Sequence, residues 1–226
     1  MDIILASGSP RRRELLSRAQ LEFTVISVDI DETPYRDESP KDYIVRMIVA
    51  KAEAATAKLN TQSKNNEAQA PKSLPSQPII LLTSDTIGVL PDGKTVLVKP
   101  NNREDAYHMW QQMSDSTHEV WTAVQATKLS FQPKHPNQAD SEQTLQVINQ
   151  QQIIERTEVT FVALTNEMMS EYWDSGEPAD KAGGYGIQGL GAAWVSRING
   201  SYTNVVGLPL AQTLALIKDM SNTATL

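Results

Sequence analysis

The chain has 226 residues with a net charge of −7, no cysteine, and 40% hydrophobic content. That length supports a full hydrophobic core, as one large domain or two small lobes. Without cysteine there are no disulfides, thiolate nucleophiles or Cys-based zinc sites, and the acidic balance argues against a protein that coats nucleic acid or an acidic membrane. No segment approaches the length of a membrane span, and the apolar run Ile3–Ala6 follows an acidic Asp2, unlike a secretory signal, so a cytoplasmic protein is expected.

Residues 3–16 read IILASGSPRRRELL, an apolar strand that turns through Ser7, Gly8, Ser9 and Pro10 into a helix. Ser9 suits the cap and Pro10 the first helical position. Arg11, Arg12 and Arg13 then fall in the first turn, where the positive end of the helix dipole disfavours cations. Free N–H groups, a dipole end and guanidinium forks in one place make an anion site, with phosphate its expected occupant. The alternative is a solvated basic helix face. An acidic run, Asp29–Glu32, follows, and by itself reads as a solvated loop.

A second helix is expected from Ser39 to about Leu59, capped by Ser39, begun by Pro40 and with Asp42 facing the dipole. Ile44, Met47, Ile48 and Ala55 form its apolar stripe, and Lys51 falls on that stripe. Such a lysine either snorkels to water or points into a cleft, and spacing does not choose between them. Residues 60–78 lose periodicity and fill with Asn, Gln, Ser and Pro, the composition of an inserted surface loop.

Ile79–Leu82 reads as a short buried strand ending in Thr83-Ser84-Asp85-Thr86. Pro91-Asp92-Gly93 joins Val89–Leu90 to Thr95–Val98 in a small hairpin. Asn102 caps a helix whose inward face is Ala106, Met109, Trp110 and Met113. Glu119–Phe131 and Ile153–Leu164 are expected as long strands, separated by a loosely ordered hairpin tip over residues 132–152. A short helix near Asn166–Ser175 precedes the glycine-dense segment DKAGGYGIQGLG at 180–191. Asn199-Gly200 signals a hairpin between Trp194–Ile198 and Tyr202–Val206, and Pro209 opens a last helix with Leu210, Leu214 and Ile217 inward. The alternation gives an α/β half followed by a more antiparallel half.

Gly184-x-Gly186-x-x-Gly189 matches a dinucleotide fingerprint by spacing alone, since no apolar strand leads into it and the residues after it read as strand. The glycines still allow close backbone approach, either to a ligand or within a turn. His108, His118 and His135 lack metal-ligand spacing, and no G-x-S-x-G elbow is present. Asp85, at the expected end of a buried strand, lies where α/β sheets place functional groups, with a turn cap as its alternative. Glu32 could join it in holding a divalent cation, whose usual shell is carboxylate, phosphate and water oxygen. Lys99, just past the hairpin, could add charge for a phosphate chain or be an ordinary surface lysine.

The blocks ASGSPRRRELL, Asp31-Glu32-Thr33, Lys51, Ser84-Asp85-Thr86, Lys99-Pro100, DKAGGYGIQG and GSYTNVVGLPL occur in the order seen in the Maf family of nucleoside triphosphate pyrophosphatases. The resemblance runs from Ile3 to about Ile217 and omits mainly 60–78 and 132–152. Arg11, Thr86 and Gln188 resemble the specificity residues of the branch acting on dTTP and UTP. The resemblance implies a Maf-type (ITPase-like) α/β fold, a mixed twisted sheet in a single domain with two lobes flanking an active-site cleft. It also implies Asp85 as proton acceptor for an attacking water, and Mg²⁺ or Mn²⁺ shared by Glu32, Asp85 and the substrate. Ser7, Arg11, Arg12, Lys51 and Lys99 would surround the triphosphate, in a homodimer. Gln188 carries donor and acceptor on one amide, which suits a pyrimidine edge. The competing expectations are a purine triphosphate such as 7-methyl-GTP as substrate, or a nucleotide-binding division regulator with little turnover.

Overall fold

The N-terminal apolar run forms β1 (Asp2–Ala6), the strand around which one edge of the sheet is built. The computed structural model describes residues 1–65, 78–131 and 144–222. After β1 come α1 (Pro10–Arg18), β2 (Thr24–Ile26), α2 (Pro40–Asn65), β3 (Ile79–Val89), β4 (Val96–Leu97) and α3 (Arg103–Met113). β5 (Thr117–Phe131), β6 (Leu145–Phe161) and α4 (Asn166–Asp174) follow, then short 3₁₀ turns between Glu177 and Trp194, β7 (Val195–Asn199), α5 (Tyr202–Val206) and α6 (Leu210–Asn222). The described strands form one mixed sheet in the order β2-β1-β3-β5-β6-β7, with β4 added to β3. β1 is parallel to both β2 and β3, while every other pairing is antiparallel. An α/β class with a mixed sheet is therefore what the chain adopts.

β3 positions the site. Its first half pairs with β1 up to Thr83, opposite Ala6, and its last residues, Gly88 and Val89, pair on the same edge with β4. Between them Ser84, Asp85, Thr86 and Ile87 keep β5 on one side and have no strand partner among the described residues on the other. Asp85 thus lies inside a long strand that runs well past the Leu82 end expected from sequence, at an opening in its edge. The period-2 alternation of a strand then sorts the side chains. Ile79, Leu81, Ile87 and Val89 pack towards α2, whereas Ile80 and Leu82 pack with α1 and α6. Ile44, Met47 and Ile48 of α2 are fully buried, each contributing about 1.5–3 kcal/mol of burial free energy. The Thr83 hydroxyl joins that interface by donating to the Ile48 carbonyl (2.9 Å).

Other elements also differ from the sequence expectation. α2 continues through Asn65 and β6 begins at Leu145, so 60–65 and 145–152 are regular structure rather than loop. The rest of the two polar stretches, 66–77 and 132–143, lies outside the described residues. Tyr202–Val206, expected as a strand after a hairpin turn, is the helix α5. Ser201 caps it by accepting the Asn204 N–H (3.3 Å), and Asn204 turns its own amide into the sheet, donating to the Val120 carbonyl and to Thr157 Oγ1 (both 2.9 Å). Capping and a buried amide outweigh the β propensity of Tyr202, Thr203 and Val205.

Candidate active site

Ser9 occupies the N-cap of α1, but its side chain makes no cap bond; instead Ser7 Oγ accepts the Ser9 N–H (3.2 Å). No side chain among the described residues accepts the first-turn N–H groups, which keeps the positive end of the helix available to an anion. Arg12 is locked. It donates through Nε to the Gly207 carbonyl (2.8 Å), through Nη1 to Ser7 Oγ (3.3 Å) and through Nη2 to Thr86 Oγ1 (3.0 Å). Burial lowers its pKa from the usual 12.5, with Asp85 and Glu32 pulling the other way and Arg11 adding to the lowering. It stays a cation, as arginine does. Arg11 beside it lines the same cleft, half-buried, with no ion pair or hydrogen bond from its side chain to the described residues.

On the opposite face of β3, Asp85 meets α2. Lys51 Nζ donates to Asp85 Oδ1 (2.5 Å) and pairs with Glu32 Oε1 (2.9 Å), so one ammonium bridges two carboxylates. Lys51 and Asp85 are 12% and 14% exposed, which shows that this stripe lysine points into the cleft rather than snorkelling out. Glu32 is 48% exposed and reaches the site because α2 grips its loop. The Tyr43 hydroxyl donates to the Glu32 carbonyl (2.9 Å), and Arg46 donates to the Thr33 carbonyl (3.0 Å) while holding Glu38 through two bonds of 2.6 Å. Burial works to raise the Glu32 pKa, but the Lys51 hydrogen bond and charge, with Lys99 and Arg12, bring it below the ordinary range. Burial, then Asp85 and Glu32, push the Tyr43 phenol up to about 12, so it remains a donor.

Alternation on β3 sends neighbours to different tasks. Asp85 faces α2, and Thr86 faces α1 and α5, where its hydroxyl accepts from Arg12 and shares a hydrogen bond with Thr122 (2.9 Å). Thr122 in turn donates to the Asn204 carbonyl (3.0 Å). Lys99 follows β4 as an exposed side chain on the cleft wall. Gln188, also exposed, lines the cleft from the glycine-rich segment. The cleft has a volume of about 1230 Å³ and is lined by every residue singled out above: Ser7, Arg11, Arg12, Glu32, Lys51, Asp85, Thr86, Lys99 and Gln188. Tyr43, Glu177 and Tyr185, which the sequence does not single out, also line it. Tyr43 lay on the helical stripe and could have been found there, whereas Glu177 carries no local signal. Among the described residues no three acidic or imidazole groups converge on one point. His118 is buried against Tyr185 (Nε2 to hydroxyl 2.8 Å) and burial lowers its pKa to about 4, so it is a neutral core residue. No described helix is long and apolar enough to cross a membrane.

A mixed sheet opened at one edge, a basic helix start on one face and a carboxylate–ammonium bridge on the other define an α/β protein built to grip a phosphorylated ligand. Residues 2–220 match the family model described as Maf-like protein, and the chain belongs to the Maf family. It is 84% identical over 226 residues to the dTTP/UTP pyrophosphatase of Psychrobacter arcticus, covering 100% of this chain and 98% of that protein. The dTTP/UTP pyrophosphatase of Psychrobacter cryohalolentis is likewise 84% identical, with 100% of both chains covered. That of Vibrio parahaemolyticus is 39% identical over 219 residues, 97% of each chain.

Proposed function

We propose that this chain hydrolyses dTTP and UTP to the nucleoside monophosphate and pyrophosphate. The observation that carries the reading is the meeting of Asp85, Lys51 and Glu32 with the Arg11–Arg12 helix start across one opening in the sheet edge. The names of the relatives and the length of the match support the substrate. A triphosphate lies with its anionic chain against Arg11, Arg12, Lys51 and Lys99, where fixed cations oppose the negative charge that spreads over phosphoryl oxygens in the transition state. Water attacks the α-phosphorus. The new P–O bond forms as the bond to the bridging oxygen breaks, and pyrophosphate departs. Lys51 holds Asp85 Oδ1, leaving Oδ2 to take the proton of that water. Lys51 also orients the carboxylate, so one contact serves both position and charge.

The donor set fits a divalent cation. Glu32 and Asp85 already converge on a single cationic centre, and both offer hard oxygens suited to Mg²⁺ or Mn²⁺, with substrate phosphate and water to complete the shell. Such an ion would supply charge neutralisation on the phosphate chain. Gln188 presents its amide to the pyrimidine. We also carry the homodimer and the cytoplasmic location as parts of this reading, to be checked by sedimentation and by cell fractionation.

The test is pyrophosphate release with Mg²⁺ or Mn²⁺ across dTTP, UTP, CTP, GTP and 7-methyl-GTP, with Asp85→Asn alongside. Turnover of dTTP and UTP, reduced about 10³-fold by Asp85→Asn, is expected. Turnover confined to a purine would keep the reaction and overturn the substrate. Nucleotide binding with no turnover at all would replace the enzyme by a binding protein.

A further inference from the structure

The glycine-rich segment closes around a carboxylate. Tyr172 of α4 is buried among Trp110 and Trp194, with ring centroids 5.6 and 4.5 Å away. Its hydroxyl accepts the Gly186 N–H (3.0 Å) and donates to Glu177 Oε1 (2.7 Å). Glu177 accepts the Leu190 N–H at Oε2 (2.8 Å) and the Gly191 N–H at Oε1 (3.4 Å), while Lys181 Nζ donates to the Glu177 carbonyl (2.5 Å). Both ends of the 186–191 turn are thus tied to one tyrosine–carboxylate pair, and Gln188 rides between them.

The glycines follow from this plug. A Cβ on Gly189 would overlap the Glu177 carboxylate, and one on Gly191 would lie 2.8 Å from the Tyr172 hydroxyl and 2.9 Å from the Gly186 carbonyl. The three atoms nearest to a Cβ at Gly189 all belong to the Glu177 carboxylate, so that carboxylate is what a side chain there would strike first. Of the three glycines whose spacing imitates a dinucleotide fingerprint, Gly189 makes room for the Glu177 carboxylate, Gly186 for the Lys181 stem, and Gly184 takes a positive φ (65°) beside Trp110 and Pro100.

We infer that Glu177 is a positioning residue for nucleobase selection: with Tyr172 it fixes the 186–191 turn and so aims Gln188. This rests on the reading above that Gln188 meets the base. A small-residue turn left loose would have to be ordered each time a nucleotide bound, at a cost in affinity. Burial works to raise the Glu177 pKa, yet the Leu190 N–H, the Tyr172 hydroxyl and the Gly191 N–H hold it below the ordinary range. The clamp is therefore charged at neutral pH, which strengthens its hydrogen bonds.

The experiment compares Glu177→Ala, Glu177→Gln, Tyr172→Phe and Gln188→Ala by kcat and KM for UTP and for GTP, with amide hydrogen exchange at Leu190 and Gly191 in the same proteins. Glu177→Ala should speed that exchange, raise KM for UTP about tenfold with kcat changed less than about threefold, and narrow the UTP-over-GTP preference, as Gln188→Ala does. Glu177→Gln, which keeps an acceptor, should recover part of the loss, and a general folding defect would show no such rescue. Tyr172→Phe keeps the aromatic packing and should reproduce a milder form of the effect if Glu177→Ala does not fold. Faster exchange with KM and preference unchanged would overturn the inference and leave the proposed function standing. So would a preference lost in Gln188→Ala and intact in Glu177→Ala. If neither substitution moves the preference, the turn does not read the base and the inference falls. Were the wild type to prefer a purine nucleotide, the substrate reading would fail, and the Glu177 comparison would be read on that nucleotide with the same criteria.

Discussion

The two ends of the cleft are held by different means. Around α1 and α2 the functional groups are side-chain charges, and two of them are fixed by several partners: Lys51 by Asp85 and Glu32, Arg12 by Gly207, Ser7 and Thr86. On the glycine-rich segment the functional element is a stretch of backbone, held from within by Glu177 and Tyr172, and Gln188 itself is exposed. A phosphate chain is the same on every triphosphate, so a rigid charged cradle serves. A base must be told from other bases, which calls for a placed hydrogen-bonding edge on a surface that admits the ring. Failures at the first end should cost turnover across all nucleotides, and failures at the second should cost discrimination.

The sharpest break is Lys51→Met. Removing the ammonium takes away the cation that bridges Asp85 and Glu32, leaving them only the more distant charges of Arg12 and Lys99, and takes a cation from the phosphate chain. Turnover of UTP should fall about 10²–10³-fold, and that of every other accepted triphosphate in parallel, read by pyrophosphate release. The same variant has a signature in pH. The folded-state pKa of Glu32 lies below its unfolded value near 4.5, so the folded state binds fewer protons there than the unfolded chain. The stability contributed by the Lys51 pair is fully present above pH 4.5 and is lost as pH falls through the folded value. The difference in urea midpoint between wild type and Lys51→Met should be present at pH 7 and shrink below pH 4.5. A difference that is flat in pH would show that Lys51 stabilises by packing its stem instead.

Thr86→Val should have a smaller effect that tests where the boundary between the two ends lies. The sequence resemblance places Thr86 among specificity residues, whereas its hydroxyl in the structure is engaged by Arg12 and Thr122. Valine keeps the shape and removes an acceptor from a charged donor, which is worth about 1.5–3 kcal/mol when buried. KM should rise about tenfold for UTP and by a similar factor for other triphosphates, because Arg12 keeps its bonds to Gly207 and Ser7. A change confined to the UTP-over-GTP ratio would instead assign Thr86 to the base end.

How much of this was legible in the sequence follows the same division. Period and capping located the strand–helix start at Ser9–Pro10, the apolar stripe of α2 and the Asn102 cap, because those signals are local; the structure shows Asn102 Oδ1 accepting the Asp105 N–H (2.9 Å). Asp85 could be named but not placed. Whether a strand ends or merely loses its neighbour depends on pairing with β1, which is remote in sequence, so local periodicity alone makes β3 stop short. Lys51 sat on the right face, yet only the fold shows that two carboxylates await it. Tyr202–Val206 misled because its β-branched and aromatic residues favour strand, while a buried Asn204 amide decides for helix. Glu177 was invisible. Its partners Tyr172, Leu190 and Gly191 flank it at unrelated spacings, and Gly189, which makes room for its carboxylate, falls in the spacing of a nucleotide motif that is not there.

The smallest effect, and the one that probes the base end most directly, is a double substitution. Gly189→Ala alone should push a methyl group into the Glu177 carboxylate and loosen the turn, raising KM for UTP several-fold and narrowing the UTP-over-GTP preference. Glu177→Ala removes the obstacle and the clamp together. In that background the three atoms nearest to the new methyl group are gone, and Gly189→Ala should add little to the defect. The cycle should therefore be non-additive by about 1 kcal/mol in kcat/KM, within the range seen for residues in contact. Additive effects would mean that Gly189 is required for another reason, namely that the nucleotide itself approaches the backbone too closely to admit a Cβ. The glycines would then belong to the ligand rather than to Glu177, and a saturating nucleotide analogue would protect wild type but not Gly189→Ala from exchange at Leu190.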